Sequence, residues 1–484
     1  MNLKIISKNV GFALLVSALF MFMSILISIG EGNDSALAAL IISFVITFTV
    51  GIFPFIFVRK AKGISLKDGY MIIVLSWTLS FIFGMLPYVL WGGPFSVANA
   101  WFESVSGYTT TGATILSSVE SLPKSLLFWR ASTHFIGGLG VVVFLLLIIP
   151  SASPIKLRLS NMELSSLSKE GYNTGVNKSV YIFTYVYLGL NFVAFIMYMI
   201  AGMGPFDAIC HAFSVCSTGG FGTKNLSIAS FNSLGITLTT MLFMYLSSLH
   251  FGMLFMAVIS HSFRPFNNAV FKTYTLFLLI VSIAIAAMLK SSGAIASWGS
   301  ALLNGSFHVL SYTSTTGFAI ADSNDFLTIS KVLLLVCGSC CGMAGSTTGG
   351  IKIDRLVILW NVIKKHIYRA VHPSSISEIK LGDHIVKDDE VFPHILFMAL
   401  YFFILIISVV LCLSFGVDTS NSLLATLSTL GNIGPSVGAL GTFGNYGMEP
   451  DIAKFIYSVN MFLGRVEIYP VFAVVYMIFE RKSK

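Results

Sequence analysis

The sequence predicts an all-α polytopic membrane protein. Four span–short helix–loop–span repeats surround one axis, and a two-span hairpin precedes them. Three observations predict this. Of 484 residues, 55% are hydrophobic and only 10% charged, with mean hydropathy +0.85, where soluble chains carry about 25% charged residues. A short Ser/Thr/Gly motif recurs four times at long intervals. The basic residues also sort to one side of the apolar runs.

The motif is clearest in Ser106 to Thr114, SGYTTTGAT. Aligned on Gly112, Gly220, Gly317 and Gly431, a threonine stands two residues before each glycine: Thr110, Thr218, Thr315 and Thr429. A further hydroxyl precedes it at Thr109, Ser217, Ser314 and Ser428, and six before the glycine stand Ser106, Ser214 and Ser311, with Ala425 as the exception. The glycines lie 108, 97 and 114 residues apart. Glycine admits backbone conformations that turn carbonyls toward an axis. Threonine offers a carbonyl and a hydroxyl oxygen to the same axis. Four such strands give stacked oxygen rings able to replace the hydration shell of potassium. The predicted ion-binding residues are Thr110, Thr111 and Gly112, Thr218, Gly219 and Gly220, Thr315, Thr316 and Gly317, and Thr429, Leu430 and Gly431. The extra glycine at 219, and Leu430 and Asn432 in the fourth repeat, make these rings unequal.

The elements follow in order. Val10 to Gly30 and Leu37 to Val58 are each long enough to span at ~20 residues per crossing, and make up the hairpin (residues 1–66). The first run is too long for the core of a signal peptide. Repeat one (67–160) reads Tyr70 to Leu90 as span, Ser96 to Val105 as pore helix and Leu126 to Ile149 as return span. Repeat two (161–265) uses Tyr181 to Ala201, Phe206 to Val215 and Leu234 to Ser260. Repeat three (266–385) uses Tyr274 to Leu289, Trp298 to Leu310 and a long segment from Ile329 to about His366. Repeat four (386–484) uses Phe392 to Phe415, Ser420 to Leu427 and Ile452 to Phe479. This gives ten spans and four re-entrant helices, with non-helical backbone at membrane depth only where protein encloses it.

Loop charge tests the layout. With both termini and segments 59–68, 150–178, 261–272 and 352–390 inside, 22 of 29 Lys/Arg are cytoplasmic. This is the positive-inside pattern, and it sets all four loops outside. It also explains the +8 net charge without any nucleic-acid partner. The polar stretch Lys364 to Glu390 has no apolar core and reads as a cytoplasmic connector. Cys210, Cys216, Cys337, Cys340, Cys341 and Cys412 sit in apolar surroundings with no companion set at zinc spacing.

The return segment of repeat three is interrupted by Gly338, Gly342, Gly345, Gly349 and Gly350. Each glycine costs a helix about 1 kcal/mol relative to alanine, so the chain unwinds at 338–350 into an intramembrane loop. The pattern is not a phosphate-binding loop, because no GK[ST] follows. Arg465 lies deep in the last span, where a charge is costly and by default functional. His211 and His308 stand nine before their glycines, as Glu103 does in repeat one and Ser422 in repeat four, so no ring of four ligands exists. They read as hydrogen-bonding partners of the pore helices. An intramembrane enzyme would need a nucleophile–base–orienter set, and none recurs. A symporter built on inverted repeats is disfavoured because these repeats all start on the same side, although proton- or sodium-coupled cation symport is kept as the alternative.

The four motifs, the interrupted glycine-rich segment and the MFLGRVEIYP sequence around Arg465 resemble the Trk/Ktr/HKT superfamily of potassium transporters over essentially the whole chain. The length is similar to that of its larger bacterial membrane subunit. That resemblance implies potassium uptake across the bacterial cytoplasmic (inner) membrane, potassium as substrate, and no cofactor bound by this chain. It implies a homodimer and a cytoplasmic, TrkA-like regulatory ring that binds NAD/ATP-type nucleotides. It further implies that the loop holding Gly345, Gly349 and Gly350, together with Arg465, gates the path beneath the filter. Glycine at all four filter positions goes with potassium preference in that superfamily.

Overall fold

The structure is a computed structural model that describes residues 2–58, 65–148, 176–373, 379–381, 384–386, 388–466 and 468–482. Two long apolar helices, α1 (Leu3–Gly30) and α2 (Leu37–Phe57), form the hairpin. A capping box opens the first repeat: the Ser65 hydroxyl accepts from Asp68 N at 3.2 Å, and the Asp68 carboxylate accepts from Ser65 N at 3.0 Å. This cap closes the first turn of α3 (Leu66–Gly84), which continues almost directly into α4 (Leu86–Trp91).

Four half-length helices follow the pattern expected of the pore helices: α5 (Val97–Tyr108), α8 (Pro205–Cys216), α12 (Trp298–Thr313) and α16 (Thr419–Leu430). At 1.5 Å per residue the three 12-residue helices reach about 18 Å and the 16-residue α12 about 24 Å, all short of the ~30 Å apolar thickness of a bilayer. Their starts carry ordinary signals. Ser96 caps α5, Pro205 opens α8, and Asp418 caps α16 by accepting from Ser420 N at 3.1 Å.

The full-length helices are α6 (Lys124–Ile148), α7 (Val176–Ile200), α11 (Ala269–Ser291) and α15 (Asp388–Ser414). The return segments of repeats two and four are broken where single spans are predicted. In repeat two, α9 (Leu234–Ser248) meets α10 (Phe251–Ile259) at 102°. In repeat four, α17 (Asp451–Val466) meets α18 (Ile468–Lys482) at 111°. The break predicted in repeat three is present, between α13 (Thr328–Ser339) and α14 (Ile353–Val371). Six helices among the described residues are long and apolar enough to cross a membrane, and the two bent pairs qualify as broken spans. Counting each bent pair as one span, that gives up to eight of the ten expected crossings by length and composition among the described residues. A two-stranded antiparallel pair, β1 (Ile379–Leu381) and β2 (His384–Val386), is the only sheet among the described residues and lies in the polar connector.

Burial is inverted relative to a soluble protein. Ile56, Phe192, Ile283 and Phe403 are exposed on the outer helices, while Glu103, His134, His211, His308 and Arg130 are buried. An apolar exterior around a polar centre suits a bilayer. All six cysteines are free.

Candidate functional site: a ring of four strands and the loop against it

Each half-length helix runs straight into an extended strand, so four helix C-termini face the centre. The C-terminal end of each helix carries partial negative charge. The crossover is built identically each time. Thr111 N donates to Ser106 O at 3.0 Å, Gly219 N to Ser214 O at 2.8 Å, Thr316 N to Ser311 O at 2.9 Å and Ile433 N to Ser428 O at 2.9 Å. The residue before each donor is left-handed: φ is 52° at Thr110, 59° at Thr218, 55° at Thr315 and 54° at Asn432. A glycine with positive φ follows each donor, at Gly112, Gly220, Gly317 and Gly434.

This pattern corrects the fourth repeat. The equivalent of Gly112 is Gly434, not Gly431, and the register shifts by three residues. Thr429 and Leu430, predicted to lie in the strand, form the last turn of α16. Gly431 caps that helix with φ −79°. Two further observations agree. In the corrected register Ser428 joins Ser106, Ser214 and Ser311, and the Ala425 exception disappears. The ring also closes only through Gly434. A Cβ added at Gly112 would meet Gly219 O, one at Gly220 would meet Thr316 O, one at Gly317 would lie 2.5 Å from Ile433 O, and one at Gly434 would meet Thr111 O. Each strand touches the next, and the fourth returns to the first. All four positive-φ glycines line one outward cavity of about 140 Å³, and Gly431 does not.

Threonine is β-branched and pays for a left-handed backbone; such strain is of the order of 1–3 kcal/mol per residue. Three strained threonines in equivalent positions mark a geometry that the surrounding packing enforces. Asparagine adopts the same conformation more easily.

Behind the strands, polar side chains fix their spacing. Arg130 Nε donates to Glu103 Oε1 at 2.6 Å, with both side chains almost fully buried. Glu103 also accepts from Thr114 Oγ1 at 2.9 Å and Ile115 N at 3.0 Å. Arg130 Nη1 donates to Gly222 O at 3.2 Å, and its guanidinium stands 3.5 Å over the Phe221 ring. The pair therefore ties the outer ends of strands one and two together. His134, which sequence reasoning passed over, does the same lower down. Its Nδ1 is 2.7 Å from Gly107 O and must donate, which leaves Nε2 to accept from Phe221 N at 3.1 Å. His211 and His308 bond to carbonyls of their own helices, at Asp207 and Asn304. Only His308 also reaches a neighbouring segment, with Nε2 3.2 Å from Ala321 O in the loop, while His211 Nε2 has no hydrogen-bond partner among the described residues; Ala425 rather than Ser422 completes their set.

A test of this scaffold arises here. Glu103→Gln leaves the buried Arg130 charge uncompensated, a loss of about 3–5 kcal/mol. The expected result is a clear drop in the thermal melting temperature of the detergent-solubilised protein, partly restored by adding Arg130→Met. A wild-type melting temperature for Glu103→Gln would contradict it.

The glycine-rich segment lies against the inner side of the ring. Gly349 N donates to Thr315 Oγ1 at 3.2 Å, and Thr218 Oγ1 donates to Thr347 O at 2.9 Å. Thr347 Oγ1 donates to Cys216 O at 3.0 Å. A Cβ on Gly350 would reach Gly431 at 3.3 Å and Cys341 Sγ at 2.6 Å. Gly345 O accepts from Phe251 N at 3.1 Å, which seats the loop on the break in repeat two. Arg465 Nη1 donates to Thr347 O, and Nη2 donates to Gly137 O at 3.2 Å. Lys352 Nζ donates to Thr348 Oγ1 at 2.8 Å. Thus Gly345, Gly349, Gly350 and Arg465, singled out from sequence, all belong to one contact region. Gly137 and Gly464 pass the last helical carbonyls of α5 and α16, Tyr108 O and Leu430 O. The next residue is Gly138 in repeat one and Arg465 in repeat four, so these two otherwise matching positions differ by a charge.

Chemically, the ring presents oxygens without a fixed anion, a set suited to a large, weakly hydrated monovalent cation. Comparisons with known proteins agree in kind. The TrkH family model, described as a cation transport protein, matches residues 37–483. The Trk system potassium uptake protein TrkH of Halomonas elongata is 32% identical, with 100% of both chains covered. The Trk system potassium uptake protein TrkG of Escherichia coli is 31% identical over 97% of each chain. The crystal structure of the potassium transporter TrkH from Vibrio parahaemolyticus superposes with a TM-score of 0.87 at 28% identity, covering 98% of each chain.

Proposed function

The chain belongs to the TrkH family of cation transport proteins, and from that premise we propose that it conducts potassium into the cell through the four-strand ring. The observation that carries this reading is the cyclic closure of the ring: four strands in one conformation, each touching the next, with helix C-termini behind them. The filter is then Thr110-Thr111-Gly112, Thr218-Gly219-Gly220, Thr315-Thr316-Gly317 and Asn432-Ile433-Gly434. Dehydrated potassium exchanges its water for these carbonyl and hydroxyl oxygens.

The repeats at 67–160, 161–265, 266–385 and 386–484 contribute one strand each, after the hairpin at 1–66. The loop at 338–350 and Arg465 form the gate. The chain lies in the bacterial inner membrane with both termini in the cytoplasm, as the loop charges favour. It works as a homodimer, and a cytoplasmic ring of TrkA-type subunits that bind NAD/ATP-type nucleotides moves the gate. Glu103, behind the first strand, is held in an ion pair with Arg130.

The test is expression in bacterial cells stripped of their own potassium uptake systems. Rubidium uptake and growth on scarce potassium are the expected results, and neither appearing despite membrane insertion would contradict the reading. A second measurement addresses regulation. The purified chain is expected to bind neither ATP nor NAD tightly, because nucleotide control resides in the separate ring. Tight binding by the chain alone would overturn that assignment.

A further inference from the structure

The corrected register leaves one residue unlike its three counterparts. At the strained left-handed position repeats one to three carry threonine, and repeat four carries Asn432. Its side chain is completely buried and makes contacts that no threonine could. Nδ2 donates to Thr111 Oγ1 at 2.9 Å, in the first strand, and to Met461 O at 2.8 Å, in the last span, with Thr109 O at 3.5 Å. Oδ1 has no hydrogen-bond partner among the described residues. It is packed between two glycine backbones. A Cβ on Gly349 would lie 2.6 Å from Asn432 Cβ and 2.7 Å from Oδ1, and one on Gly464 would lie 2.5 Å from Oδ1.

Asn432 thus touches the first strand of the ring, the glycine-rich loop, and the last span one residue before Arg465. Among the described residues, no other filter residue has hydrogen bonds or close approaches to all three. Resting on the filter reading above, we propose that Asn432 is a specificity-determining positioning residue that couples the loop to the filter. Its amide sets the spacing of strands one and four. Displacement of the loop at Gly349 frees that amide, so the same contact reports the gate's state to the oxygen ring. The glycine at 349 is what permits the approach, because any side chain there would drive Asn432 off Thr111.

The experiment compares potassium and sodium fluxes into liposomes that hold equal amounts of full-length variants. Asn432→Thr makes the fourth position match the other three, and Thr111→Val removes the acceptor together with the Thr111 hydroxyl's 2.9 Å contact to Thr109 Oγ1. Each is expected to lower the preference for potassium over sodium by about fivefold, the effect of one lost hydrogen bond. The double variant should be no worse than either single one. Gly349→Ala, outside the filter, is expected to cause a similar loss by displacing Asn432. If Gly112→Ser loses ion preference while Asn432→Thr and Thr111→Val keep it, this inference fails and the filter reading stands. If all of them keep it, the filter reading fails too. Wild-type preference in Gly349→Ala alone would overturn the coupling. Should Asn432→Thr not fold, Thr111→Val and Gly349→Ala decide the question unaided.

Discussion

Serine at Gly112, Gly220, Gly317 or Gly434 is expected to reduce the preference for potassium over sodium by about tenfold or more, equivalent to roughly 1.4 kcal/mol of lost discrimination. Each glycine has a positive φ between 75° and 93°, a region that a side chain rarely enters without strain. The added Cβ would also run into the neighbouring strand's carbonyl, at Gly219, Thr316, Ile433 or Thr111. On the proposed reading those carbonyls line the ion path, so the clash would move an ion ligand directly. Gly431→Ser is expected to do much less, because Gly431 has a helical φ of −79°. Parallel sodium and potassium fluxes through the five variants decide it. A larger effect at Gly431 than at Gly434 would restore the register that alignment on the TxG motif suggests.

That register shows where sequence reading stops. The four motifs, the pore helices and the break at 338–350 are legible because they rest on local chemistry: hydroxyl and glycine runs, caps and helix-breaking residues. The Thr429-Leu430-Gly431 triplet imitates the motif, and nothing local distinguishes it from Asn432-Ile433-Gly434. What does distinguish it is a tertiary fact, contact of Gly434 with strand one. The serine count was the available clue, since only the later register gives all four. The breaks in repeats two and four divide in the same way. Pro470, just inside α18, removes a helical donor and marks the second break. The first has no such residue. There the His250 ring accepts from Met253 N at 3.3 Å, a cap outside the usual set. Arg465 was legible as a costly charge, but its partners, the carbonyls of Thr347 and Gly137, come from two other repeats.

The second large effect concerns that arginine. Arg465→Ala is expected to raise potassium flux in the absence of any regulatory partner by tenfold or more. Two terms act together. A fixed positive charge held ~4 Å from a passing cation would oppose it by about 4 kcal/mol at an effective dielectric of 20. The guanidinium also holds Thr347 O, so its removal loosens the loop that lies against Thr218 and Thr315. Arg465→Lys keeps the charge but cannot reach Thr347 O and Gly137 O together, and should fall between wild type and alanine. Shortening the loop at 345–350 should raise flux as Arg465→Ala does. Unchanged or lower flux in both variants, at normal elution volume, would leave the glycines as packing residues.

The central claim is that four strands of this one chain form a potassium-selective path. Purified protein in liposomes, under an imposed inward-driving potential, tests it most directly through the relative fluxes of potassium, rubidium, sodium and lithium. The account predicts that potassium and rubidium pass readily and that sodium and lithium lag, with Gly434→Ser narrowing the gap. Equal passage of all four ions by the unmodified protein, or a gap that Gly434→Ser leaves intact, would contradict it.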